Sequence, residues 1–221
     1  PAKLLSPQES PSGVIDRLIT ARLKKSGLTP AKPADRYTLI RRMSYDITGL
    51  PPTFEASQSF ENDRAPNATS KRIKEMLASP AFGEHFARKW LDLARYADTK
   101  GYVYTEERRY AFAYTYRDWV VDAFNRDLPY NDFLRLQLAA DRYPATPTKD
   151  LAALGFLTVG RRFVNNIPDV IDDRIDVIMR TTQGLTVACA RCHDHKFDPL
   201  PTKDYYRMQA VFASTEFVRP A

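Results

Sequence analysis

The chain has 221 residues, 43% of them hydrophobic and 27% charged, and its formal net charge is +6. This composition is that of a globular protein with a buried core, and no run reaches the roughly 18 apolar residues that a membrane-spanning helix needs. The lysines and arginines are spread among acidic residues, so they predict a solvated surface, and nucleic acid is not an expected partner.

The first half of the chain has the apolar spacing of amphipathic helices. The first helix is predicted over residues 12–27, with Ser12 and Gly27 as its caps, and its apolar stripe consists of Ile15, Leu18, Ile19 and Leu23. The second is predicted over residues 33–49, with four residues facing inward: Tyr37, Ile40, Met43 and Ile47. Two shorter helices follow, over residues 50–63 and 69–80.

The second half continues the helical pattern, with few alternating runs that would indicate strands. Helices are predicted over residues 80–102, 108–130, 130–141, 150–160, 168–189 and 202–215, the last with Thr202 as its cap. The predicted fold class is therefore all-α, as a single compact multi-helix domain over residues 1–221. Residues 61–68 resemble a linker, so a separate N-terminal helical subdomain over residues 1–79 is the alternative.

Both cysteines of the chain lie in the stretch CARCHDHKF. Cys189, Cys192 and His193 form the pattern Cys-x-x-Cys-His, which is the attachment signature of c-type haem. Two thiols at this spacing can add to the two vinyl groups of one porphyrin, and the imidazole that follows can ligate the iron. The motif predicts one covalent haem c, attached within residues 168–215, with the helices wrapped around it.

Two other chemistries use the same residue types. A Cys-x-x-Cys pair can form a redox disulfide, but the βαβ pattern of thioredoxin-like proteins is not seen. The pair can also form half of a zinc site with His193 or His195, although structural zinc sites usually have a second cysteine pair, and the chain has only 2 cysteines. A zinc or thiol site without haem is therefore kept as an alternative.

Four long stretches of the chain resemble one family. They cover residues 16–53, 82–102, 116–141 and 184–215, and the last contains the Cys-x-x-Cys-His motif. Together they resemble the DUF1549 family, also called planctomycete cytochrome C domain 2, over nearly the whole chain. One departure lies at residues 139–144, where the family commonly has AGDLLP and this chain has AADRYP.

The resemblance implies a haem-c-bearing domain of exported proteins, mostly from planctomycetes and related bacteria. Such a domain usually lies beside a second domain, DUF1553, and often beside another cytochrome module. Because haem c is attached outside the bacterial cytoplasm, the expected location is the periplasm or the cell surface. Any association with a membrane surface would come from domains outside this chain.

The iron ligands follow in part from the motif. His193 is the predicted proximal ligand, and the distal position is open between His85, Met179, Met208, a lysine or tyrosine, and an open or water-bound iron. His195 is too close to His193 along the chain to reach the other face of the same haem. It is expected to make hydrogen bonds within its own turn, with a neighbouring molecule's iron or a second metal as the alternative.

The haem propionates need cationic or hydrogen-bonding partners, because they are anions. The candidates lie in the family-like stretches and are Arg95, Tyr96, Arg117 and Trp119. For Arg117 an ion pair with Asp118 is an equal alternative.

The predicted function is electron transfer by an exported monohaem c-type cytochrome, which is a carrier rather than a catalyst. Its basic surface would steer acidic redox partner proteins. An open sixth position would instead indicate a haem-dependent oxidoreductase module. A mainly structural haem would indicate an assembly protein that forms oligomers or filaments.

Overall fold

A computed structural model describes residues 10–97, 112–143, 145–160 and 166–215 of the chain. Every regular element within these ranges is helical and none is a strand, which confirms the all-α prediction. The predicted helices over residues 80–102 and 108–130 extend partly beyond the described residues. The α-helices are α1 (Pro11–Lys25), α2 (Arg36–Thr48), α3 (Phe54–Asn62), α4 (Ala68–Leu77), α5 (Pro80–Leu93), α6 (Ala113–Asn125), α7 (Tyr130–Ala139), α8 (Ile167–Gln183) and α9 (Thr202–Ala213).

Three short 3₁₀ helices complete the described structure: Ala140–Arg142, Thr148–Leu157 and Val187–Arg191. The second of them replaces the helix predicted over residues 150–160. The helix starts follow local capping chemistry. For example, the Oδ1 atom of Asp35 accepts a hydrogen bond from the backbone N–H of Thr38 at 2.7 Å, at the start of α2.

The largest hydrophobic cluster joins α5, α6, α7 and the 3₁₀ helix Thr148–Leu157. It is mainly aromatic, and its largest members are Trp90, Tyr116, Trp119, Phe133 and Phe156. Trp90 and Phe133 pack edge to face with ring centroids 4.8 Å apart, a favourable arrangement of aromatic rings. We call this group the aromatic cluster.

Two smaller clusters lie on either side of it in the sequence. The N-terminal cluster joins α2, α3 and α4 through Ile40, Met43, Phe60, Ala68 and Met76. The C-terminal cluster joins α8, the 3₁₀ helix Val187–Arg191 and α9 through Ile171, Ile175, Val187, Ala190 and Tyr205. The N-terminal cluster lies wholly within residues 1–79, but α2 also contacts α5, and a separate subdomain stays a prediction.

The apolar stripe predicted on the first helix is not part of any of these clusters. Ile15, Leu18 and Ile19 are 60%, 44% and 56% exposed. The caps of α1 are Ser10 and Ser26 rather than Ser12 and Gly27. Tyr37 is also exposed, so the prediction that it faces inward is wrong, whereas Ile40 and Met43 of the same helix are buried.

The long helix predicted over residues 168–189 ends at Gln183, before the cysteines. Gly184 adopts a left-handed conformation with φ of 68°, and its N–H donates to the Arg180 carbonyl at 3.2 Å. The N–H of Leu185 donates to the Met179 carbonyl, also at 3.2 Å. Glycine tolerates this conformation because it has no Cβ atom, and such a turn ends a helix. The chain therefore leaves α8 and presents the cysteines on a separate segment.

Candidate haem attachment site

The Cys-x-x-Cys-His motif begins in the 3₁₀ helix Val187–Arg191, which packs against α8 and α9. A 3₁₀ helix has about three residues per turn, so residues three apart lie on the same face. Val187 and Ala190 share the buried face, at 2% and 0% exposure, while Cys189 and Cys192 are exposed free thiols. Both thiols therefore lie at the surface, and the segment is anchored through its apolar side.

The motif is also held by polar contacts to the two neighbouring helices. The Arg191 side chain forms an ion pair with Asp169 of α8 at 3.0 Å, and the Arg191 carbonyl accepts a hydrogen bond from the Tyr206 hydroxyl of α9 at 3.1 Å. The Tyr205 hydroxyl donates to Asp172 of α8 at 2.6 Å. Burial of Tyr205 and this hydrogen bond raise its pKa well above the ordinary value, so the hydroxyl keeps its proton.

His193 is exposed, and its Nδ1 atom lies 2.8 Å from the carbonyl oxygen of Asp194. A carbonyl oxygen only accepts hydrogen bonds, so Nδ1 carries the proton in this contact. In the neutral ring the other nitrogen, Nε2, then has no proton, which is the state that ligates a metal. A hydrogen bond from the non-ligating nitrogen is the usual way in which proteins orient such an imidazole.

His195, in contrast, uses both ring nitrogens within the protein. Its Nδ1 atom accepts from the backbone N–H of Asp198 at 2.9 Å and of Phe197 at 3.3 Å. Its Nε2 atom lies 3.0 Å from the Thr186 hydroxyl, and its side chain is only 8% exposed. These contacts favour the expected hydrogen-bonding role over ligation of another iron or metal.

Asp194 closes the turn that follows the motif. Its Oδ1 atom accepts a hydrogen bond from the backbone N–H of Thr202, the first residue of α9, at 2.8 Å. Thr202 was predicted as the cap of this helix, but the residue at the cap position is Pro201, which has no capping side chain. Sequence reasoning missed Asp194 because a capping side chain is normally at the helix start, and this one comes from eight residues earlier.

Arg180 is a second residue near the motif that sequence reasoning missed. Its pKa is raised, first by a hydrogen bond to Asp176 and to a smaller extent by the nearby Cys189. Its guanidinium forms an ion pair with Asp176 at 2.7 Å and is 58% exposed. An exposed arginine is a suitable partner for an anionic group such as a carboxylate.

The distal candidates fall into two places. Met179 and Met208 are half-buried and pack against the C-terminal cluster, beneath the 3₁₀ helix of the motif. Met208 also lines a cavity of about 750 Å³ between α7, α8 and α9. His85 lies elsewhere, in the contact between α2 and α5, where its ring is against Gly49 and packs edge to face on Phe86. The two methionines thus pack against the cluster that contains Val187 and Ala190, whereas His85 belongs to another contact.

Three of the predicted propionate partners belong to the aromatic cluster or its margin. Trp119 is 4% exposed and donates its indole N–H to Asp150 at 2.7 Å. The Arg117 side chain donates a hydrogen bond to Asp118 at 2.9 Å, which is the alternative partner that the sequence predicts for it. Tyr96 and Arg117 line a cavity of about 700 Å³ between α5 and α6.

Arg95, another predicted propionate partner, contacts α8, a helix of the C-terminal cluster. It lies just after α5 in a left-handed conformation, with φ of 59°, and pairs with Asp173 of α8. The Nε and Nη2 atoms of Arg95 are buried and have no hydrogen-bond partner among the described residues. The ion pair with Asp173 thus places Arg95 directly against α8.

The described ranges contain no group of three histidine, cysteine or acidic side chains placed to hold a metal ion. A preformed zinc site is therefore not seen in this part of the chain. In the same ranges, none of the helices combines the length and the apolar character needed to cross a membrane. A haem attachment site needs two reachable thiols and one imidazole nitrogen, and the exposed motif provides them.

An all-α chain with an exposed Cys-x-x-Cys-His segment has the residues of a c-type haem attachment site. A family model described as a protein of unknown function (DUF1549), or PSCyt2, matches residues 14–217. The chain belongs to this family, which confirms the resemblance read from its motifs. Searches of the curated proteins and of the solved structures returned no significant match.

Proposed function

We propose that this protein is an exported electron carrier with one haem c, attached through Cys189 and Cys192 and ligated by His193. The observation that carries the proposal is the exposure of both free thiols, Cys189 and Cys192, followed directly by the exposed imidazole of His193, whose Nδ1 contact leaves Nε2 available to ligate. A bound haem supplies reversible one-electron chemistry. The chain supplies attachment, orientation of the proximal imidazole and charge near the propionates.

The exposed position of the motif supports a carrier rather than a buried catalytic centre. Cys189, Cys192 and His193 are all exposed, so a haem attached to them has an edge near the protein surface, where a partner can reach it. The net charge of +6 favours acidic redox partners. Haem attachment also requires the chain to be exported, to the periplasm or the cell surface.

The test is expression of the chain with and without c-type maturation machinery, followed by intact mass under denaturing conditions and absorption spectra of both redox states. We expect a mass gain of one haem and sharp α and β bands on reduction. The Cys189→Ser and Cys192→Ser double variant is the control and should gain no mass. An unmodified wild-type chain after competent maturation would contradict the proposal and leave a zinc or thiol site.

The same samples separate the remaining alternatives. A covalent haem with a high-spin spectrum would indicate an open sixth position and favour the oxidoreductase module. Assemblies larger than the monomer in size-exclusion chromatography would favour the structural role. For the sixth ligand, Met179→Leu and Met208→Leu are the informative changes, because leucine fills nearly the same volume in the C-terminal cluster but cannot ligate iron.

A further inference from the structure

Asp194 makes two contacts that connect the proximal ligand to a helix. Its main-chain carbonyl accepts a hydrogen bond from His193 Nδ1 at 2.8 Å, and its carboxylate accepts one from the backbone N–H of Thr202 at 2.8 Å. The orientation of the His193 ring is thereby tied to the first turn of α9. No other contact of the His193 side chain is seen among the described hydrogen bonds.

The rest of the turn is braced independently of Asp194. The backbone N–H of His195 donates to the Leu200 carbonyl at 2.8 Å, and the buried His195 ring accepts two further backbone N–H groups. Loss of the Asp194 carboxylate therefore leaves the turn closed after His195. It releases mainly the peptide between residues 194 and 195, whose carbonyl holds His193.

We propose that Asp194 is a positioning residue for His193. Its carboxylate anchors residue 194 to α9, and this holds the Asp194 carbonyl where it fixes His193 as the Nδ1–H tautomer and leaves Nε2 to ligate. The role of this tautomer rests on the proposed haem function. The positioning itself is a property of the chain without haem and can be tested there.

The decisive measurement is the His193 tautomer, from long-range proton–nitrogen NMR spectra of the chain made without haem, at a pH where the imidazole is neutral. We expect Nδ1–H in the wild type. Asp194→Ala should shift His193 towards Nε2–H, the tautomer that an unconstrained histidine prefers. Asp194→Asn should retain Nδ1–H, because an amide oxygen also accepts the Thr202 N–H.

Two further variants make the test specific. Thr202→Pro removes the N–H that Asp194 accepts, at the first helical position, where proline is tolerated. It should therefore shift the His193 tautomer as Asp194→Ala does. It also provides the test if the Asp194→Ala protein does not fold. Asp204→Asn removes an acidic charge from the same turn of α9, where Asp204 pairs with Arg207 at 2.8 Å, and should leave the tautomer unchanged. An Nε2–H tautomer in the wild type, or no shift in the folded Asp194→Ala protein, would overturn the inference.

A second readout uses the haem-loaded chain. A proximal imidazole that keeps an Nδ1–H acceptor is the stronger donor and favours oxidised iron. The reduction potential should therefore rise in Asp194→Ala and stay near the wild-type value in Asp194→Asn and Asp204→Asn. A wild-type chain that takes up no haem contradicts the proposed function alone, whereas an unchanged tautomer contradicts the positioning role alone.

Discussion

Asp150 shows how a single buried carboxylate is stabilised by its partners. It accepts hydrogen bonds from Trp119 Nε1 at 2.7 Å and from Arg126 Nη2 at 2.6 Å, and so links α6 to the 3₁₀ helix Thr148–Leu157. Burial alone would raise its pKa, but the hydrogen bonds from Arg126 and Trp119 outweigh this and lower the pKa from 3.8. The ionised form therefore stabilises the fold.

We expect Asp150→Asn to lower the free energy of unfolding by about 1–3 kcal/mol near pH 7. Because the folded-state pKa is lowered, this contribution is complete above the unfolded pKa of about 3.9 and is lost as the pH falls through the folded value. Urea denaturation of both proteins near neutral pH and below about pH 4 measures the difference. Asp118→Asn, at an exposed ion pair, is the control. If the stability difference between the wild type and Asp150→Asn did not become smaller in acid, the stabilising role of the ionised Asp150 would be contradicted.

His195 allows its two ring nitrogens to be tested separately. In His195→Asn the amide oxygen can replace Nδ1 as acceptor for the Asp198 N–H, whereas in His195→Gln the amide reaches towards Thr186 instead. We expect amide hydrogen exchange at Asp198 to accelerate about tenfold in the glutamine variant, equivalent to about 1.4 kcal/mol, and much less in the asparagine variant. Equal acceleration in both would show that the Nδ1 contact is not what holds the turn.

At the residue scale, the sequence indicates the residues proposed to attach the haem, but it does not indicate the contacts that hold their segment in place. Cys189, Cys192 and His193 are adjacent in the chain, so their spacing alone indicates their joint role. Asp194 accepts a hydrogen bond from the N–H of Thr202 in α9, and Cys189 lies near enough to Arg180 to raise its pKa slightly. Both arrangements depend on the course of the chain after α8. A local pattern contains no signal of such contacts, because they are made only when the turn has formed.

Among the helices, the end of α8 matters most for the site. The apolar spacing of α8 continues past Gln183 through Leu185 and Val187, which is why the sequence predicted a helix as far as residue 189. The left-handed Gly184 overrides that pattern, since a helix cannot continue through it without a large backbone change. The apolar stripe of α1 is exposed for a different reason. Periodicity indicates that a helix has an apolar face, but it does not show which surface covers that face.

We expect Gly184→Ala to lower the free energy of unfolding by about 1–2 kcal/mol. An added Cβ atom at Gly184 would meet nothing within 4 Å, so the cost is that of the left-handed backbone and not of a clash. Gly27→Ala is a matched control, because Gly27 has φ of 69° and equally open space, but lies beyond α1, whose apolar stripe is exposed. Its effect on global unfolding should be smaller, and equal effects would mean that the α8 turn has no special role in the fold.

At the scale of the molecule, the three hydrophobic clusters of the described residues contain none of the Cys-x-x-Cys-His residues. Cys189, Cys192 and His193 are exposed, whereas the neighbouring Val187 and Ala190 are buried in the C-terminal cluster. The structure therefore separates the residues that stabilise this region from the residues that would hold the haem. The sequence did not show this division, because it predicted helices wrapped around the cofactor.

This separation predicts that the fold does not depend on the cysteines. The Cys189→Ser and Cys192→Ser double variant should keep the helical circular dichroism of the haem-free wild type, with a free energy of unfolding within about 0.5 kcal/mol of it, as for other exposed substitutions. Val187→Ala, on the buried face of the same segment, is the matched control and should cost about 1–3 kcal/mol. If the double variant instead lost the structure of the last third of the chain, the thiols would have a structural role in the haem-free protein.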